Sequence, residues 1–291
     1  MIWLIGNRGM LGTEVEGLLR ARGTMYIASD LDVDITRQDA VEGFLSSRNA
    51  GSLAWIINCS GYTAVDAAED EPDRAFAVNE GGVRNLASAA RRSGAALLHL
   101  STDYVFDGTR EGAYTEDDPP NPVSVYGKSK LAGEAALQGL LERHLIVRTA
   151  WLYGRRGKSF VATMLRLFRE RGRVAVVDDQ WGSPTRAADL ARAILEIVER
   201  RETPYGIYHF TNEGRTNWYE FAAEIYRRAV EHGLARPGVE LVPVSSAEYP
   251  TRARRPRNSL LSKEKIRNTF GIAIRDWRDA LRSHFDEGAA V

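Results

Sequence analysis

One cysteine, Cys59, stands in the whole chain. A single thiol forms no internal disulfide and offers no cysteine zinc site, so a reducing, cytoplasmic compartment is the expected setting. A surplus of one charge sign is missing as well. The 39 Lys and Arg are matched by 39 Asp and Glu, a formal net charge of zero. No global field draws such a chain toward nucleic acid or an anionic membrane surface. Long apolar runs are also lacking, and none approaches the roughly 18 residues of a membrane-spanning helix. The opening MIWLIGNRGMLG has no basic leader before its short apolar run and no small-residue cleavage pattern after it. It reads as the first strand of the fold.

What is present is alternation. MIWLIG (1–6) reads as a strand and 10–22 as a helix with Leu11, Val15, Leu18 and Leu19 on one face. TMYIASD (24–30) is a second strand, 36–48 a helix and LAWIINCS (53–60) a third strand. A long helix over 72–93 turns Phe76, Leu86 and Ala90 inward, and AALLHLS (95–101) is a fourth strand. Strands this continuously apolar suit a parallel sheet covered on both faces, and their crossovers wind right-handed. Residues 108–124 read as a loop, 126–141 as a helix and HLIVRTAWLYG (144–154) as one strand. Helices over 159–171, 186–200, 217–230 and 275–286 follow, with strand patterns at 172–185 and 239–246 and an irregular stretch at 251–262.

Gly6, Gly9 and Gly12 form G-x-x-G-x-x-G between the first strand and the first helix. Gly6 suits the tight turn, Gly9 a close backbone approach to a pyrophosphate, and Gly12 close helix–strand packing. The first-turn N–H groups then face the phosphates. Asp30 ends the second strand, where a carboxylate takes the adenine ribose hydroxyls. Asp32 and Asp34 crowd the same loop, Asp34 being the better cap for the helix at 36. Negative charge here repels a 2′-phosphate, and Arg8 or Arg37 offsets that in part. The reading leans to NADH and leaves NADPH open. The fold class predicted is α/β, a doubly wound parallel (Rossmann) sheet with a smaller C-terminal α/β lobe. Residues 1–150 are predominantly the NAD(P)-binding domain and 151–291 predominantly the substrate lobe, with some chain crossing back to the Rossmann core.

Tyr126 and Lys130 are i and i+4, on one face of a helix. A tyrosine pKa lies near 10 in solution, and a lysine ammonium held close lowers it. Tyr126 is then suited to give a proton to a carbonyl oxygen receiving hydride, while Lys130 holds the nicotinamide ribose. Thr102, ending a central strand, is expected to aim its hydroxyl at the same oxygen. Asp103 beside it binds the substrate sugar, tunes the acid or caps a turn. Trp151 ends another strand at that edge, as core or as a stacking wall. In TRARRPRNS, Arg254 and Arg255 are better placed to pair with a diphosphate than Arg252 and Arg257. His99 is read as core, and no residue is assigned to a metal.

With these residues in view, the chain resembles the extended short-chain dehydrogenase/reductases, and among them the dTDP-4-dehydrorhamnose reductase family. The likeness runs almost end to end, through GNRGMLG, NCSGYTAVDAAEDEPDRAFAVN, STDYVFDG, NPVSVYGKSKLAGE, VRTAWLYG, VVDDQWGSPT, YHFTNEG and ARRPRNSLLS. The resemblance implies reduction of the C4 keto group of a dTDP-sugar, dTDP-4-dehydro-β-L-rhamnose, with NADPH or NADH. It places Gly9, Met10 and Leu11 on the pyrophosphate, Asp30 with Leu31 at the adenine ribose, and Ser60, Gly61 and Tyr62 in a further cofactor-side loop. It makes Tyr126 the proton donor with Lys130 as its partner, sets Thr102 and Asp103 on the sugar, and lays Trp151 against the sugar ring. NCSGYT departs from the pattern, with Cys59, Ser60 and Gly61 where alanines are frequent and Tyr62 where a His is common. Some members hold Mg²⁺ at a dimer interface, so Mg²⁺ and a homodimer are expectations of the family alone.

Two other readings use the same residues. An epimerase or dehydratase of nucleotide sugars shares the set, though a dehydratase needs an added acid/base pair and Asp103 has no Glu beside it. A non-catalytic regulatory subunit, resembling that of methionine adenosyltransferase, shares the fold without the turnover.

Overall fold

The computed structural model describes residues 1–48 and 53–289. Strands β1 (Ile2–Ile5), β2 (Tyr26–Ser29), β3 (Trp55–Asn58), β4 (Ala96–Thr102) and β5 (His144–Thr149) join Gly206–His209 in one six-stranded sheet. The order is β2-β1-β3-β4-β5 and then 206–209, and every neighbouring pair is parallel. The four residues of β1 are all buried, as a strand covered on both faces must be. Their alternation divides the core. Ile2 and Leu4 pack with Leu11, Val15 and Leu19 of helix α1 (Met10–Ala21) and with the helix over 187–198. Trp3 and Ile5 face the other way, onto Leu86, Ala90 and Leu137.

The strand over 206–209 shows chain from the second half completing the first sheet. Other C-terminal residues build a second core, in which Phe168, Phe221, Trp277 and Phe285 pack together. Each buried side chain of this size contributes roughly 1.5–3 kcal/mol. A two-stranded parallel pair, Arg173–Val177 with Glu240–Val244, flanks that cluster.

Chain order reverses between β1 and β3, and the crevice above their carboxyl ends is where a doubly wound sheet takes its ligand. The structure departs from the sequence expectation at three places. The long helix over 72–93 is interrupted by a π-helical segment, Ala77–Gly82, and Phe76 is only half-buried. The strand expected over 144–154 stops at Thr149, because Trp151 takes a left-handed backbone (φ 49°) before a short strand at 152–153. A helix over 264–270 stands where none was expected.

Candidate active site

The glycine turn forms as its spacing predicts. Gly6 takes φ 77°, and a Cβ there would stand 2.9 Å from the Ser60 backbone nitrogen, so only glycine lets β1 run this close to the loop after β3. Gly9 begins α1 with no side chain capping the helix, which leaves first-turn N–H groups for an anion. Gly12 packs beneath the Gly6 turn and does not line the cavity. Asp30 receives the backbone N–H of Arg8 at 3.0 Å and that of Leu31 at 2.9 Å. Leu31 is 94% exposed, so it forms the rim of the site and not its floor. This bare cradle, with a carboxylate at its outer end, fits a dinucleotide.

A cavity of about 970 Å³ joins the cradle to the catalytic candidates. Gly6, Gly9, Met10, Leu11, Asp30 and Leu31 line one end. Ser60, Gly61 and Tyr62 lie in the middle, and Thr102, Asp103, Tyr126, Lys130 and Trp151 close the other end. Arg254 and Arg255 are outside the lining. Arg254 is exposed, and Arg255 spends its guanidinium on Tyr104 Oη at 2.9 Å and Asp66 at 2.7 Å. Arg255 thus ties the 251–259 strap to the first half and does not contribute a wall.

Tyr126 sits in the first turn of the helix α2 (Val125–Leu140), which Ser124 caps by accepting from the Gly127 N–H at 3.1 Å. Burial pushes the Tyr126 phenol up, and the Thr102 hydroxyl draws it part of the way back. Burial is the largest influence on this phenol, so the lowered value expected from Lys130 is not what this fold produces. Lys130 is itself lowered to about 8, first by burial, with Glu134 opposing. Its Nζ donates to the Leu100 carbonyl at 2.6 Å and lies 3.3 Å from His99 Nε2.

Thr102 ends β4. Its hydroxyl donates to Asp103 Oδ1 at 2.9 Å and accepts from the Tyr104 N–H at 3.2 Å. Asp103 is 2% exposed, and its other carboxylate oxygen has no close protein partner. Burial raises this carboxyl to about 6, with Thr102 and the nearby Ser259 hydroxyl pulling the other way. Trp151 lies flat on Trp218, with ring centroids 3.5 Å apart and 10° between the planes.

Several residues that hold the site were not read from the sequence. Asn79, in the π segment, accepts from the Tyr62 N–H at 2.9 Å and donates to the Tyr62 carbonyl at 3.0 Å and to Ser129 Oγ at 2.9 Å. Ser129 in turn bonds the Tyr126 carbonyl at 2.8 Å. Asn79 so clamps the 60–62 loop to α2. The π segment is the signal, since such bulges gather at functional sites, but no pattern of apolar residues marks it. His99, read as core, is buried and joins Asn58 to Lys130. Among the described residues no group of three His, Cys, Asp or Glu side chains is placed to hold a metal ion, so Mg²⁺ has no evident ligand set. None of their helices is long and apolar enough to cross a membrane.

The family model of the RmlD substrate binding domain matches residues 1–289. The chain belongs to this family. A dTDP-4-dehydrorhamnose reductase of Aggregatibacter actinomycetemcomitans is 43% identical over 290 residues, covering 96% of each chain. The crystal structure of a dTDP-4-dehydrorhamnose reductase from Clostridium acetobutylicum superposes with a TM-score of 0.91 at 39% identity, over 98% of both chains. That of the Bacillus anthracis enzyme, in complex with NADP, gives 0.91 at 38% identity over the same shares. RmlD-type chains are extended short-chain dehydrogenases, which accords with the parallel sheet and the cavity at its switch point.

Proposed function

We infer that the protein is an NAD(P)H-dependent reductase of the C4 keto group of dTDP-4-dehydro-β-L-rhamnose, giving dTDP-β-L-rhamnose. The observation that carries this reading is one cavity shared by a glycine cradle and the Thr102, Tyr126 and Lys130 side chains. When bound, the reduced nicotinamide supplies the hydride. The cradle N–H groups and the start of α1 hold its diphosphate, and Asp30 takes the ribose hydroxyls. Tyr126, kept protonated by its burial, gives the Oη proton to the C4 oxygen, which stays on C4 as the product hydroxyl. The Thr102 hydroxyl, turned from Asp103 toward the substrate, fixes that oxygen in place, and Asp103 accepts from a sugar hydroxyl with its other carboxylate oxygen. Trp151 forms the apolar wall for the ring.

Asp30 favours NADH over NADPH, and Arg37 is already paired with Asp39, which leaves Arg8, beside Asp30 on the cavity lining, to offset a 2′-phosphate. A cytoplasmic setting suits the lone thiol, Cys59, which is half-buried and pushed up to about 12 by desolvation.

The test is oxidation of NADH and NADPH with the keto sugar generated in situ, for wild type and Tyr126→Phe. Stoichiometric oxidation that yields the rhamnosyl nucleotide, and falls by ~10²–10⁴ in the variant, supports the reading. Nicotinamide binding without turnover, where a control reductase turns over, would sink it and favour the regulatory subunit.

A further inference from the structure

Asn58 closes β3, and its side-chain oxygen is fixed by two donors. The Ser60 backbone N–H lies at 3.0 Å and the Ser60 hydroxyl at 2.6 Å. A backbone N–H can only donate, so the atom facing it is the amide oxygen, and the other end of Asn58 is the NH₂. That NH₂ is 3.0 Å from His99 Nδ1, both residues being fully buried between neighbouring strands. His99 Nδ1 therefore accepts, and a neutral imidazole must then carry its single proton on Nε2. Burial, followed by the Lys130 charge, holds His99 well below the usual histidine range, so the ring is neutral. Nε2 lies 3.3 Å from Lys130 Nζ. An Nε2–H offers no lone pair to an ammonium, whereas a neutral amine has a lone pair with which to accept from it.

We propose that His99 is a positioning residue which, locked by Asn58 as the Nε2–H tautomer, donates to Lys130 and favours its neutral amine over its ammonium. Ser60 also lines the cavity. The chain Ser60–Asn58–His99–Lys130 thus runs from the cofactor-side loop to the catalytic helix behind the reacting groups. The catalytic consequence, though not the tautomer, rests on the reductase reading. A lysine that releases a proton readily can replace the one Tyr126 gives away. The proton leaves Nζ, the amine accepts from His99 Nε2–H, and solvent later returns a proton to Nζ.

The charged and titratable groups on the elements around this pair have different effects. Glu134, one turn along α2, acts to keep Lys130 charged but is itself bound by Arg148 of β5 at 2.7 Å. Tyr126 shares the helix, and burial keeps it neutral. Asp103 lies beyond the end of β4, and Cys59 at the end of β3 is a neutral thiol. The π segment contributes the uncharged Asn79, and its one carboxylate, Glu80, is paired with Arg84 at 3.0 Å.

The experiment is NMR on the full chain without cofactor or substrate, so it stands or falls independently of turnover. Imidazole nitrogen shifts of wild type should show His99 protonated on Nε2 and bare on Nδ1. The Lys130 side-chain titration should move to higher pH in His99→Phe, by ~1 pH unit, or about tenfold in proton affinity. His99→Gln, which offers Asn58 an acceptor and Lys130 a donor, should restore the wild-type midpoint. The sign discriminates, because losing a group that accepted from the ammonium would move the midpoint down. Protonation on Nδ1 in wild type, or a midpoint that falls or stays in His99→Phe, would overturn the proposal. The wild-type tautomer decides the matter even if neither variant folds.

Discussion

Gly12 lies so close beneath Gly6 that a Cβ on it would stand 2.0 Å from the Gly6 carbonyl oxygen. That atom is backbone at the floor of the cradle and has no flexible end to swing aside. Gly12→Ala must therefore lift α1 away from the turn. The expected cost is about 1–3 kcal/mol of stability, with a larger loss of nicotinamide affinity, because the N–H groups of the first turn move with the helix. Denaturant unfolding and titration with NADH measure the two effects. Weakened binding at unchanged stability would mean that the helix shifts freely, and unchanged binding would remove the cradle from the account.

The glycine turn and the Tyr126–Lys130 pair were legible because both are local patterns, set by spacing within one turn or one helix face. What escaped notice is what one element does to another. The π segment adds a residue to a helical turn and swings Asn79 round to reach both Tyr62 and Ser129, yet the apolar residues on either side still read as one helix. The left-handed backbone of Trp151 was invisible, since an apolar run through 144–154 reads as unbroken strand. His99 looked like core because an apolar strand surrounds it, and its partners Asn58 and Lys130 are 41 and 31 residues away. The sequence offers Arg255 as a partner for a diphosphate, and only the folded chain brings it Asp66. Burial, which sets the direction of the Tyr126 shift, is likewise a property of the whole fold.

Asp103 should give the pH profile its acid limb. Burial lifts this carboxyl from the ordinary 3.8 to about 6, so the fold favours the protonated form. Its contribution to stability is fully present below pH ~4 and is lost as pH rises through about 6, on the order of 3 kcal/mol. Activity runs the opposite way if the ionised oxygen accepts from the sugar, with kcat/KM rising through about pH 6. Asp103→Asn should abolish that limb and flatten the stability change over the same window. A limb that persists in the variant would assign the titration to another group.

The backbone of Trp151 is left-handed, at φ 49°, and its indole is packed on two sides. Trp218 stacks on it at 3.5 Å, and a Cβ at Gly182 would stand 2.6 Å from the ring. The indole is therefore held rigidly at the cavity wall, where a sugar face can use it without ordering it first. Trp151→Ala should raise KM for the nucleotide sugar roughly tenfold, about 1.4 kcal/mol of binding, with kcat changed much less. Gly182→Ala touches no substrate but pushes the ring, and it should raise KM in the same direction. Steady-state kinetics on both variants separate two roles for the wall. A fall in kcat at constant KM would mean that the indole aligns the C4 oxygen with the Tyr126 proton and adds little to holding the sugar.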